Sequence, residues 1–280
     1  MNYNQMLKFH MEKKAELTVA GVEVPIDQAT AFGVIGSDSE YRITTWEEKP
    51  KVPKPVPGKS DLAFVSMGVY IFDTDALVRN VIADAKDKNS SHDFGKDVVP
   101  RMIHSNRVFV HNFKEANNAE GRYWRDIGTL DAYWEANMDL CSPQPHCNLY
   151  DEKWPIRTYQ EQVPPARIVL ECDEVVNSSE TGTVQDSIVS GGCIISGGTV
   201  KKSVLSPHVK VGLGSVVESS VLLDGVQIGE GARVRKVIID HDVYIPKGFS
   251  IGYDHQEDAS RFTVSPNGVV VVPRGMALTS

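Results

Sequence analysis

Between Val189 and Ile251 an apolar residue returns every five or six positions: Val189, Ile195, Val200, Leu205, Val211, Val217, Leu223, Ile228, Val234, Ile239, Ile245 and Ile251. Glycine recurs beside many of them. A helix repeats at about 3.6 residues and a half-buried strand at every second one, so neither period fits. A strand-and-turn unit of about six residues, wound three to a coil, does fit. It returns one side chain to the interior on each face of a parallel β-helix. Four of the steps are five residues long, so the repeat is uneven.

The first half follows other periods. Met6, Leu7, Phe9 and Met11 among polar residues predict a helix over 2–13. Segment 16–24 and FGVIG are β-rich, and a polar turn SDSEY then leads to RITTW, a strand, turn and strand pattern. A proline-rich loop precedes AFVSMGVYIF (63–72), whose unbroken apolar character predicts a buried strand. TDALVRNVIADAK predicts a helix capped by Asp73 or Thr74. SSHDFGKD predicts a turn and short helix capped by Ser91 or Asp93, and RVFVHNF a further strand. Residues 129–141 predict a helix with Thr129 as its N-cap. Alternation of this kind indicates an α/β layered domain over a mostly parallel sheet. Over 142–165 prolines flank a linker expected to pack through Tyr150, Trp154 and Tyr159. The tail predicts a hairpin around Pro266-Asn267-Gly268. The expected organisation is an α/β domain over 1–141, a linker over 142–165 and a β-helix over 166–280.

A chain of 280 residues favours two domains. A net charge of −8 weighs against nucleic acid as a partner, because binding it needs a positive surface. It leaves phosphate ligands open, since a few lysines in a cleft outweigh the global sign. No apolar run is long enough to span a bilayer, and MNYNQMLKFHMEKK lacks a signal peptide's apolar core. Cys141, Cys147, Cys172 and Cys193 have no paired spacing, and a chain this large needs no disulfide staples. A cytoplasmic protein without a membrane partner is expected.

Several strings are rich in functional side chains. WEEKP ends a strand, where α/β sheets present ligands, so Lys49 could meet a phosphate as a point charge; taken alone, the string reads more readily as a solvated charged turn. In SMGVYIF, Ser66 and Tyr70 share a strand face with Gly68 leaving room between them, or the segment is plain core. Asp126 of YWRDIGT is either a helix-dipole partner or a hard oxygen ligand for Mg²⁺. No G-x-G-x-x-G or G-x-x-x-x-G-K-[ST] phosphate loop occurs in these residues.

In combination AFGV, WEEKP, SMGVYIF, SSHDFGKD, YWRDIGTLDAYWEAN, YDEKWPIRTY and VSGGCIISGG resemble the bacterial ADP-glucose pyrophosphorylase (glucose-1-phosphate adenylyltransferase) family, in order and over essentially the whole chain. The resemblance implies the C-terminal part of a Rossmann-like nucleotidyltransferase domain followed by a left-handed parallel β-helix of hexapeptide repeats. It implies adenylyl transfer from ATP to glucose 1-phosphate in glycogen biosynthesis, with Mg²⁺ as cofactor. By matched motif, Gly33 lets the backbone approach the sugar, Glu48 bonds glucose hydroxyls and Lys49 holds the phosphate. Ser66 lines the sugar site with Tyr70, Asp93 and Trp124 nearby, and Asp126 is catalytic as a magnesium ligand. It also implies small-metabolite allosteric effectors and a homotetramer for the full-length enzyme. Gly225 and His241 stand where some relatives carry charged residues, so no effector is assigned.

The family's Gly-rich ATP loop and its second metal aspartate are not among these residues. The expectation is a truncated chain without turnover by itself. Two other readings stand beside it. One is a hexapeptide-repeat acyltransferase with His208 or His241 as base; the other is a noncatalytic regulatory or assembly subunit.

Overall fold

The computed structural model describes residues 3–113, 123–152, 155–169 and 182–278; Trp154 and Cys172 lie outside the described residues. The chain divides into two compact units, Met1–Trp124 and Arg125–Ser280. Among the described residues no helix is long and apolar enough to cross a membrane.

In the first unit helix α1 (Tyr3–Glu12) buries Met6 and His10 and leaves Leu7 and Met11 exposed. The buried imidazole is satisfied by the Thr18 hydroxyl, 2.8 Å from Nδ1. Strands β1 (Leu17–Pro25), β2 (Gly33–Ser37), β3 (Ile43–Glu48), β4 (Leu62–Phe72) and β5 (Val108–Asn112) form one sheet in the order β3-β2-β4-β1-β5. Only β1 and β5 pair in parallel; the β1–β4, β2–β3 and β2–β4 ladders are antiparallel. The expected mostly parallel sheet is therefore corrected. The turn SDSEY between β2 and β3 is far too short for a crossover and permits only a hairpin.

Side chains alternate across this sheet. One face packs Leu17, Val19, Ile35 and Phe64 under helices α2 (Thr74–Ala85) and α3 (Val99–Ser105), through Ala76, Val99 and Met102. The other gathers Val22, Ala29, Val34, Ala63 and Val65. Asp73, rather than Thr74, caps α2, its carboxylate accepting from the Ala76 N–H at 3.1 Å.

Strand β4 is a second correction, because it is fully buried only over 63–65. Its register against β1 jumps from Val19↔Tyr70 to Gly21↔Ser66, so β4 carries two extra residues around Gly68, whose φ is +69°. A bulge of this kind bends the strand and re-aims its side chains. Here it ends the buried stretch and opens the strand at Ser66.

The second unit is the expected left-handed parallel β-helix, with three stacked sheets as its faces. Val200, Val217, Val234 and Ile251 pair rung to rung on one face, seventeen residues apart. Leu205, Leu222 and Ile239 form the second column and Ile195, Val211, Ile228 and Ile245 the third. The interior residue is thus Leu222, fully buried, and not Leu223 as the spacing predicts. The reason lies in one tight corner. It turns on single left-handed residues, Lys202, Ser219 and Lys236 (φ 47°, 48° and 54°), and so takes five residues instead of six. Inside that corner Ser203 N–H donates to Ser187 Oγ at 3.1 Å and Ser220 N–H to Ser203 Oγ at 3.1 Å, a serine ladder that holds the strained turns.

Helix α4 (Leu130–Leu140) is capped by Thr129 Oγ1, which accepts from the Ala132 N–H at 3.2 Å. It lies on the coil, with Tyr133, Trp134 and Met138 against Val221, Ile238 and Val269. Trp134 Nε1 donates to the Ser219 carbonyl at 2.7 Å. This packing groups α4 with the coil, so the compact units part after Trp124 where the sequence organisation places a boundary after Cys141. Tyr150 and Tyr159 are exposed, so the expected packing of the linker through these two rings is corrected. Thr263–Val264 pairs with Val270–Val272 as the predicted closing hairpin.

Candidate functional site

The carboxyl end of β3, the start of β2, the bulge of β4 and the turn at Phe94–Val98 line an open cavity of about 390 Å³ in the first unit. Its lining is Gly33, Trp46, Glu48, Ser66, Gly68, Tyr70, His92, Asp93, Phe94 and Gly95.

Gly33 faces Glu48 across the β2–β3 ladder. A Cβ on Gly33 would stand 3.0 Å from Glu48 Oε2 and 3.3 Å from Trp46 Cζ2. Its absence lets the carboxylate and the indole lie directly on the β2 backbone. Gly95 plays a lesser part on the opposite wall, where a Cβ would meet Asp93 Oδ1 at 3.3 Å and Trp46 Cζ2 at 3.6 Å.

The β4 bulge brings Ser66 and Tyr70 to the same wall. Ser66 Oγ accepts from the Gly68 N–H at 3.2 Å, and Tyr70 stacks on Phe94 with ring centroids 5.9 Å apart. Burial pushes the Tyr70 phenol above its ordinary range; a hydrogen bond with Ser66 opposes this, while Asp93 and Glu48 add to it. Tyr70 therefore stays a neutral hydroxyl, able to donate.

The third wall is held by hydrogen bonds local to SSHDFGKD. Asp97 accepts from the Ser91 hydroxyl at 2.6 Å, the Ser91 N–H at 3.1 Å and the Asp93 N–H at 3.2 Å. Asp93, rather than Ser91, caps the turn by accepting from the Lys96 N–H at 2.9 Å. His92 sits in left-handed backbone (φ 59°) with Nδ1 2.9 Å from Asp84 Oδ2. Hydrogen bonds from His92 and Ser90 hold the Asp84 carboxyl below the usual range.

Two carboxylates, two hydroxyls and the rings of Trp46, Tyr70 and Phe94 converge on one cavity. Carboxylates accept from ligand hydroxyls and rings cover apolar C–H faces, so the lining suits a polyhydroxylated ring. Trp46 Nε1 is buried without a hydrogen-bond partner, a donor left over by the protein fold.

Five of the eight residues singled out in the sequence meet here: Gly33, Glu48, Ser66, Tyr70 and Asp93. Lys49 does not line the cavity. It follows Glu48 in left-handed backbone (φ 46°), its N–H donates to the Phe32 carbonyl at 3.0 Å, and the residue is exposed. Trp124 packs edge-on to Phe32, centroids 5.4 Å apart, in the cluster on the sheet's other face. Asp126 belongs to the second unit, exposed, with Oδ1 accepting from the Gly128 N–H at 3.1 Å. Trp46, His92, Phe94 and Gly95 were missed as lining residues. All four lie inside WEEKP or SSHDFGKD, so dense strings were the signal, but which side chains face inward depends on cap geometry.

Among the described residues no group of three His, Cys, Asp or Glu side chains gathers closely enough to hold a metal ion alone. Asp126 is one exposed hard-oxygen donor. That suits Mg²⁺, which commonly takes one or two carboxylates and fills its shell with substrate phosphates and water. On the coil, His208 Nε2 lies 3.2 Å from Glu161 and His241 Nδ1 2.7 Å from Asp240, so each imidazole already has a carboxylate neighbour.

Residues 1–142 match the family model described as nucleotidyl transferase, and residues 164–272 match that described as GlmU-like, C-terminal hexapeptide. Proteins named glucose-1-phosphate adenylyltransferase are similar over nearly the whole chain. The Nitrosospira multiformis protein is 46% identical over 275 residues, covering 97% of this chain and 64% of the relative. That of Shewanella sp. (strain ANA-3) is 48% identical over 278 residues, 99% and 65% respectively. The Thiobacillus denitrificans protein is 47% identical over 272 residues, 97% and 61%. The chain thus spans less than two thirds of the length of these relatives.

Proposed function

Because this chain belongs to the nucleotidyl transferase family, we propose that it supplies the sugar-phosphate side of adenylyl transfer from ATP to glucose 1-phosphate. The observation that carries this reading is the cavity in which Glu48 and Asp93 face Ser66 and Tyr70 across two glycine-thinned walls. The names of the similar proteins support the choice of substrate.

In this reading glucose hydroxyls donate to Glu48 and Asp93, and the neutral Tyr70 donates to a sugar oxygen. Lys49, next to Glu48 at the strand end, takes the phosphate as a point charge. The reaction is an in-line displacement: a phosphate oxygen of the sugar phosphate attacks the α-phosphorus of ATP and pyrophosphate leaves. The protein's part is alignment of two anions, which replaces a bimolecular encounter with a held geometry. Mg²⁺, when bound, would neutralise charge on the reacting phosphates, and Asp126 would be the residue of this chain that helps to hold it. No Gly-rich phosphate loop occurs within these 280 residues, so binding of glucose 1-phosphate without turnover is the expected behaviour of this chain alone.

Titration calorimetry with glucose 1-phosphate tests the reading. Glu48→Ala and Lys49→Ala should each weaken binding about tenfold, the worth of one charge-assisted hydrogen bond. Unchanged affinity in both variants refutes the site. Formation of ADP-glucose by the purified chain with ATP and Mg²⁺ refutes the expected lack of turnover.

A further inference from the structure

One lining residue of the first unit's cavity, His92, is held more firmly than an exposed histidine on a turn requires. Its side chain is 57% exposed, yet three constraints fix it. The backbone is left-handed (φ 59°), a conformation that residues other than glycine adopt sparingly. Its N–H donates to Ser90 Oγ at 3.0 Å. Its ring Nδ1 lies 2.9 Å from Asp84 Oδ2. The Ser90 hydroxyl closes the loop by donating to Asp84 Oδ1 at 2.7 Å.

Asp84 is out of place by the ordinary rules. It is buried in the last turn of α2, where the helix dipole favours cations and a buried charge is costly. Ser90 and Arg101, whose nearest nitrogen stands 3.5 Å away, both address Oδ1, while Oδ2 meets His92. Hydrogen bonds from His92 and Ser90 hold the carboxyl below its usual range, so it serves as an acceptor only. Nδ1 therefore carries the proton between them, and in the neutral imidazole Nε2 is a bare lone pair. Among the described residues Nε2 has no hydrogen-bond partner.

A buried carboxylate that orients an imidazole, and leaves its other nitrogen to a ligand, is a positioning device. The lining already brings two carboxylates, Glu48 and Asp93, to a ligand that carries a phosphate in the reading above. A third carboxylate would add repulsion, whereas a neutral ring nitrogen accepts a hydroxyl hydrogen without adding charge. We propose that His92 determines sugar specificity, its Nε2 accepting the hydrogen of one sugar hydroxyl, and that Asp84 is the positioning residue that turns it there. The proposal rests on the sugar-phosphate reading of this cavity and adds to it the group that reads one hydroxyl.

The test is a set of double-mutant cycles read by calorimetry. Glucose 1-phosphate and its monodeoxy analogues are titrated into wild type, His92→Ala and Glu48→Ala. One analogue should bind wild type about fivefold more weakly than the parent, the worth of one neutral hydrogen bond, and bind His92→Ala without that penalty. The matching fluoro analogue, which accepts but cannot donate, should lose as much in wild type. Asp84→Asn, whose amide can also donate to Nδ1, should lose the selectivity and shift the His92 ring-nitrogen resonances from one tautomer to a mixture. Selectivity kept in Asp84→Asn overturns the role of Asp84. Deoxy penalties that are equal in wild type and His92→Ala, while Glu48→Ala still weakens glucose 1-phosphate, overturn this inference alone. A fluoro analogue that binds like the parent overturns it too, because Nε2 then donates. Failure of wild type to bind glucose 1-phosphate overturns both the inference and the reading beneath it. Should the variants unfold, the wild-type chain decides: saturating glucose 1-phosphate must move the His92 Nε2 resonance, and an unmoved resonance overturns the inference.

Discussion

Three glycines border the first unit's cavity for three different physical reasons, and Gly33→Ala separates them. The new methyl group would begin 3.0 Å from Glu48 Oε2, whereas ordinary contact starts at 3.4 Å, so the carboxylate must retreat by about 0.4 Å (3.4 − 3.0). Trp46 Cζ2, at 3.3 Å, must yield by less. Both neighbours are side-chain ends and Glu48 is exposed, so the fold can absorb the change for about 1 kcal/mol, the low end of overpacking. Ligand binding cannot absorb it so easily, because the displaced group is the one proposed to meet the sugar. Loss of one charged hydrogen bond costs about 1.5 kcal/mol, roughly tenfold in affinity.

Denaturant unfolding and glucose 1-phosphate calorimetry on the same samples measure the two effects separately. Gly95→Ala, whose closest new contact is 3.3 Å to Asp93 Oδ1, should lose less affinity. Gly68→Ala meets nothing within 4 Å but places an L-residue at φ +69°, so it should cost about 1 kcal/mol in stability through backbone strain. Equal affinity in Gly33→Ala and wild type, with Glu48→Ala still impaired, would refute the argument that Gly33 sets the position of Glu48.

Two further predictions concern stability. Leu222→Ala should destabilise the coil by about 3 kcal/mol through an unfilled interior, and the half-buried Leu223→Ala by about 1 kcal/mol; a larger loss at Leu223 in denaturant titration would mean that the corner register is misread. Glu16 accepts from the Arg107 N–H and the Asn106 amide, each at 3.0 Å, and the Arg107 bond chiefly holds its carboxyl below the usual 4.5. A lowered native pKa gives stability that is present above the unfolded pKa and lost as pH falls through the native one. Glu16→Gln should therefore cost about 1 kcal/mol at neutral pH and show a shallower decline in melting temperature below pH 4.5 than wild type; parallel acid profiles would refute the assignment.

The coil was the most legible part of the chain, because every turn of a solenoid solves the same packing problem and repeats its answer along the sequence. Even so, one letter of the pattern was misplaced. Leu222 and Leu223 are chemically identical, and only the left-handed corner at Ser219 decides which of them enters the stack. Local signals also sufficed for the cap at Thr129 and narrowed the α2 cap to Asp73 or Thr74, since a short polar side chain answers an N–H within three residues. The sheet was read less well. Strand identity follows from composition, but strand direction follows from which edges are free when the chain returns, and that is a non-local fact.

The site divides in the same way. Residue type and spacing alone determined that carboxylates, hydroxyls and glycines were concentrated in WEEKP, SMGVYIF and SSHDFGKD, and that the second half would be a stack of short strands. Tertiary structure alone decided that a two-residue bulge would bring Ser66 and Tyr70 onto the wall opposite Glu48, and that Lys49 and Trp124 would fall outside the lining. The physical reason is range: propensity, capping and repeat act over a few residues, whereas a cavity is the space left after distant segments have packed.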